Sequence, residues 1–130
     1  MLGVGNSSGS CYIINLEKKD KVVNLKPHFK LLRTLSFTED SSKLLTGSDD
    51  STIKVLDIAS EKVITSLEGH KETVSHIHCH PNDSRIAYSC SFDKSVKCWD
   101  LRMKSCVGNL VTGSPLWSCQ VMDKKLVTGG

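Results

Sequence analysis

The run Ile86-Ala87-Tyr88-Ser89-Cys90-Ser91-Phe92-Asp93-Lys94-Ser95-Val96-Lys97-Cys98-Trp99-Asp100 decides how this chain is read. Two short segments rich in apolar and β-branched side chains flank a polar turn at Asp93, the pattern of a tight β-hairpin. Residues 87–100 align without gaps on residues 44–57, an offset of 43. A weaker copy at residues 2–15 lies 42 positions earlier still, and the start of the pattern returns in Leu126-Val127-Thr128-Gly129-Gly130. A hairpin that recurs at a fixed spacing is one unit of a repeat architecture, in which neighbouring units bury a continuous core between them.

Outward from this hairpin the chain is a succession of short strand-like runs, at residues 31–37, 43–46, 52–56, 63–67, 74–79, 85–91 and 95–99. Polar turns separate them, among them Thr38-Glu39-Asp40-Ser41-Ser42, Ser48-Asp49-Asp50-Ser51 and Pro81-Asn82-Asp83-Ser84. Apolar residues nowhere recur at three-and-four spacing over a helical length, so no helix is expected. The fold class is all-β, an antiparallel meander, and a period near 43 residues with four strands per unit is that of propeller blades. About three such four-stranded blades fit into 130 residues, whereas closed propellers take about 4 to 8, so the chain reads as part of a propeller.

Composition narrows the function classes. With 38% hydrophobic and 24% charged positions the chain carries enough apolar side chains for a packed core, which excludes disorder. No apolar run approaches the roughly 18 to 20 residues of a membrane span, and Met1-Leu2-Gly3-Val4-Gly5 lacks the regions of a signal peptide. An intracellular protein is expected. The net charge of +3 is spread along the chain, which gives nucleic-acid binding no electrostatic footprint. The six cysteines, Cys11, Cys79, Cys90, Cys98, Cys106 and Cys119, form no CxxC pair and are read as reduced, chiefly buried small hydrophobes.

Gly69-His70, then Asp93 in its turn, then Trp99-Asp100 resembles a WD repeat. The resemblance implies a hydrogen-bonded chain inside one blade from His70, Ser89, Asp93 and Trp99, because buried polar groups must find partners. In the preceding unit His28, Thr46 and Asp50 fall in place, but Leu56 stands where the Trp belongs and Pro27 replaces the Gly. The units run over residues 28–69 and 70–111, flanked by incomplete ones at 1–27 and 112–130. Within WD-repeat proteins the chain is similar to the WD-repeat subunit of the superkiller complex, a subunit shared with the Paf transcription elongation complex. The strings that carry this are His28 with Leu32-Arg33-Thr34-Leu35-Ser36-Phe37, Ser48-Asp49-Asp50, Gly69-His70, Asp93-Lys94-Ser95-Val96-Lys97 with Trp99-Asp100-Leu101, and Leu116-Trp117.

The resemblance implies a non-catalytic adaptor in the cytoplasm and nucleus. It would hold protein subunits of an RNA-decay or transcription-elongation complex together, without cofactor, metal, small-molecule substrate, membrane or direct nucleic-acid contact. Partners of such propellers meet the narrow face around the central channel, which carries over to Arg33, Asp49, Thr73, Ser75, Phe92 and Trp117. Among these Phe92, Trp117 and Arg33 are the residue types that concentrate binding energy.

Competing readings come from the same residues. A different WD-repeat adaptor, such as a substrate receptor of a ubiquitin ligase, shares every motif above. His76, His78 and His80 alternate along one strand, so all three share a side, and with Cys79 nearby a metal-dependent enzyme is conceivable. Against it, the strand is an inner one and a neighbouring sheet can partner the imidazoles. His70, Ser89 and Asp93 are also the residue types of a hydrolase triad, yet their spacing recurs with partial loss in the adjacent unit, as structural parts do. Ser7-Ser8-Gly9-Ser10 precedes a strand rather than a helix and is not read as a phosphate cradle. Lys18, Lys19 and Lys21 read as a solvated turn.

Overall fold

Thirteen strands and no helix make up the residues that the computed structural model describes, 1–17, 22–122 and 125–130. Lys18, Lys19 and Lys21 fall outside the described residues. The first sheet is β1 (Leu2–Gly5), β2 (Cys11–Ile14) and β3 (Val22–Leu25). The second is β4 (Leu32–Phe37), β5 (Lys43–Ser48), β6 (Ile53–Asp57) and β7 (Lys62–Leu67). The third is β8 (Val74–Cys79), β9 (Ile86–Ser91), β10 (Ser95–Asp100) and β11 (Ser105–Val111), and the fourth is β12 (Ser118–Met122) and β13 (Lys125–Gly129). Each sheet is an antiparallel meander in chain order. The all-β, propeller-type fold expected from the repeat is what these sheets form. No helix among the described residues is long and apolar enough to cross a membrane.

Local chemistry makes the hairpins. The turns β1–β2, β5–β6 and β9–β10 each place one residue in the left-handed region, Gly9 (φ 88°), Ser51 (φ 69°) and Lys94 (φ 70°). Each is followed by a backbone amide held by a side-chain oxygen of the turn: Ser10 on Asn6, Thr52 on Asp50 and Ser95 on Asp93, at 3.1, 2.9 and 2.9 Å. Gly9 needs its missing Cβ twice over, for that φ and because a Cβ there would lie 2.2 Å from the His28 carbonyl oxygen.

The core lies between sheets. Cys11 and Ile13 of the first meet Leu32, Leu44 and Leu56 of the second. Leu45, Ile53, Val55 and Leu67 of the second meet Val74, Ile77, Cys79, Ala87 and Trp99 of the third. Cys90 and Val96 of the third meet Cys119 of the fourth and Leu116 just before it. Full burial of one such side chain contributes about 1.5–3 kcal/mol, so each sheet depends on its neighbour. Innermost strands lie side by side, β4 beside β8 and β8 beside β12. All six cysteines are free, with Cys11, Cys79, Cys90 and Cys119 buried, Cys98 half-buried and Cys106 exposed.

Two features escape the sequence. Strand β11 is absent from the expected runs because Gly108 and Asn109 interrupt its apolar residues, whereas β7, equally exposed at an edge, carries an apolar and β-branched run. Arg33 and Ser75 are bulged out of register on β4 and β8, and the innermost strands repeat at 42 rather than 43 residues, Leu32 matching Val74, because the β8–β9 connection is one residue longer than the β4–β5 connection.

Candidate functional site

The third sheet carries a continuous polar chain through its interior. The indole Nε1–H of Trp99 donates to Ser89 Oγ at 2.8 Å, and Ser89 Oγ lies 2.7 Å from His70 Nε2. His70 Nδ1 is 2.9 Å from Asp93 Oδ2. One proton assignment satisfies every atom: neutral His70 carries its proton on Nδ1 and donates to Asp93, while Ser89 donates to Nε2. Burial pushes the His70 imidazole below its ordinary value, against the pull of Asp93. Burial opposes the charge on Asp93 as well, but the Ser95 hydroxyl, the Lys71 amide and His70 overcome it and hold the carboxyl at about 2.

The second sheet repeats the geometry with one part missing. His28 Nδ1 is 2.8 Å from Asp50 Oδ2, and His28 Nε2 is 2.8 Å from Thr46 Oγ1. Leu56, fully buried, takes the Trp99 position and offers no donor. Asp50 is held below the usual carboxylate range, again against burial, by the Thr52 hydroxyl and amide and by His28.

An Asp–His–Ser order is also that of a hydrolase triad, so access decides what the chemistry can do. Ser89 is 0% exposed and its oxygen already receives the Trp99 proton. At that depth a substrate carbonyl cannot reach it. The arrangement ties two strands, β9 and β10, and the turn between them to the segment that leads into β8.

The residues singled out for the narrow face divide into three kinds. Arg33 grips Asp49 through Nε and Nη2, at 2.6 and 3.3 Å, so this cation and anion neutralise each other. The Ser75 hydroxyl is consumed internally between the carbonyls of Cys90 and Leu116, and Thr73 offers its carbonyl to the Phe92 amide at 3.1 Å. Phe92 and Trp117 form an edge-to-face pair, ring centroids 4.7 Å apart, with Phe92 half-buried and Trp117 61% exposed. They border an open concavity of about 550 Å³ together with Glu72, Ser114 and Pro115. Phe29, 77% exposed beside His28, carried no motif that sequence reading could use.

The three alternating histidines do not converge. His76 turns to β12, with Nδ1 3.1 Å from the Cys119 amide nitrogen, while His80 accepts the Asn82 amide at 3.1 Å and stacks loosely near Tyr88. Among the described residues no group of three or more His, Cys, Asp or Glu side chains is disposed to hold a metal ion.

Comparison with known proteins agrees with this geometry. The family model of the first β-propeller of WD repeat-containing protein 75 matches residues 36–127. Nuclear distribution protein PAC1 of Candida tropicalis is 34% identical over 123 residues, 92% of this chain and 24% of that protein. Set1 complex component swd2 of Schizosaccharomyces pombe is 35% identical over 82 residues, 62% of this chain and 23% of that protein. Target of rapamycin complex subunit wat1 of the same yeast is 29% identical over 111 residues, 85% of this chain and 35% of that protein. The chain thus spans 23% to 35% of the length of these relatives.

Proposed function

The chain belongs to the WD-repeat β-propeller family, and from that membership we propose that it is a non-catalytic scaffold that holds protein partners on its narrow face. One observation carries this reading: Trp117, a large aromatic, stands 61% exposed over Phe92 beside an open concavity, where packing does not explain it. An aromatic anchor at the centre of an interface is where binding energy concentrates. Arg33, already paired with Asp49, adds orientation at the rim rather than affinity. Two relatives, a Set1 complex component and a target of rapamycin complex subunit, support membership of a multi-subunit assembly.

Trp117→Ala removes the anchor and weakens partner binding by about 2 kcal/mol, roughly 30-fold, at unchanged melting temperature. Affinity purification with quantitative mass spectrometry, paired with a thermal melt, reads both. Unchanged capture overturns the assignment, and so does an aggregated variant, which makes Trp117 a core residue.

The narrower reading, the WD-repeat subunit of the superkiller and Paf complexes acting in cytoplasm and nucleus, rests on the residue strings quoted above. Co-purification of a helicase subunit supports it; co-purification of a cullin adaptor supports a ubiquitin-ligase receptor instead.

A further inference from the structure

Neighbouring sheets are bolted by two chemically different seams. Between the second and third, the Thr34 hydroxyl oxygen accepts the Ile77 amide at 3.1 Å and the Ser36 hydroxyl oxygen accepts the Cys79 amide at 3.2 Å. Between the third and fourth, the positions matching Thr34 and Ser36 are His76 and His78, since β4 and β8 pair their neighbours in the same register past the bulge. His76 Nδ1 lies 3.1 Å from the Cys119 amide nitrogen and 2.9 Å from the Cys119 carbonyl oxygen, and His78 addresses the Val121 backbone. The first seam has no side chain that titrates in mild acid: its one titratable group, the Cys79 thiol beside the Ser36 carbonyl, is pushed by burial up to about 11. The second is made of imidazoles.

The geometry points to a proton-sensitive seam between the third and fourth sheets, one that loosens in mild acid while the seam between the second and third holds. With the proton of neutral His76 assigned to Nε2, Nδ1 accepts the Cys119 amide; a proton on Nδ1 donates to the Cys119 carbonyl instead and leaves the amide without this acceptor. His78 Nε2 is buried with no partner, so a proton added there is a buried N–H with nothing to receive it. Two charged imidazoles at alternate positions of one strand also repel.

Among the described residues around His76 and His78 no carboxylate faces either ring. His76 looks onto Ser118, Cys119, Gln120, Met122, Val127, Thr128 and Gly129, none of them an acid. Strand β9 sets Cys90 and Tyr88 opposite His76 and His78. Beyond them His80 neighbours Asp83, whose carboxylate is bound bidentately by Arg85. Strands β4 and β5 pack on the other side of β8 and bring Thr34, Ser36 and Gly47, which do not titrate. Burial, with His76 and His80 beside it, lowers the His78 value from 6.5. A lowered imidazole stabilises the neutral seam above about pH 6.5 and withdraws that stability as pH falls below it. Strand β12 follows directly on Trp117, so the seam also governs how that ring meets Phe92; this consequence rests on the docking reading above, whereas the seam itself does not.

Amide hydrogen exchange of the full chain, read by NMR at pH 7.5 and 5.5 and corrected for intrinsic rates, tests it. The Cys119 amide is expected to lose about tenfold of its protection relative to Ile77 and Cys79. His76→Thr with His78→Ser, which installs the hydroxyls of the other seam, is expected to abolish the difference. Equal change at all three amides, or none, overturns the proposal with the wild-type chain alone, and leaves the Trp117 test untouched.

Discussion

One hydroxyl, Ser89 Oγ, takes the proton of the Trp99 indole and lies within hydrogen-bond reach of the His70 imidazole, so the whole polar chain turns on its orientation. Trp99→Phe removes a buried donor and some volume, and is expected to lower the unfolding free energy by about 2 kcal/mol in urea titration; an unchanged midpoint contradicts the assigned geometry. Acid tests the other end. Asp93 is held at about 2 against an ordinary 3.8, so it contributes stability that is present above about pH 4 and lost as pH falls through 2, on the order of 2 kcal/mol. Denaturation midpoints at pH 4.5 and 2.5 should differ accordingly, and by less in Asp93→Asn. At this scale the sequence was informative where residue types recur with spacing: His70, Ser89, Asp93 and Trp99 do meet within hydrogen-bond distance. It was silent on Arg33 pairing with Asp49 and on the Ser75 hydroxyl turning inward, because both depend on bulges that leave no compositional trace.

Elements were legible where apolar and β-branched residues run unbroken, as in the exposed β7 as well as the buried β5. Strands β4 to β10, apart from boundary residues, follow the apolar runs, while β11 is interrupted by Gly108 and Asn109 and β3 is short with Asn24 in its middle. The turns keep their backbone shape even where side chains diverge. Gly9, Ser51 and Lys94 share the left-handed region at one repeat position, and Glu61 (φ 58°) and Lys104 (φ 55°) share it at another. A β-branched side chain resists that conformation, so Lys94→Val should destabilise by about 1–2 kcal/mol. Lys94→Gly, measured beside it in the same thermal melt, should not; equal loss in both would place the cost in the lysine side chain instead.

At the scale of the molecule, stability resides between sheets, and Gly47 marks how closely they approach. A Cβ there would come within 2.7 Å of Val74 and 2.8 Å of Thr34, side chains on the innermost strands of two different sheets. Gly47→Val is expected to cost about 1–3 kcal/mol by overpacking, visible as a lowered urea midpoint. Repetition is also what separates a structural polar chain from an active site. The His28, Thr46 and Asp50 set copies the His70, Ser89 and Asp93 set, with one donor fewer because Leu56 replaces the tryptophan. Equilibrium unfolding of Ser89→Ala beside Thr46→Ala tests this directly. Ser89→Ala strands two buried nitrogens and Thr46→Ala one, so the predicted losses are about 3 and about 1.5 kcal/mol. An undiminished unfolding free energy in Ser89→Ala would contradict the structural role and return that serine to the candidates for chemistry.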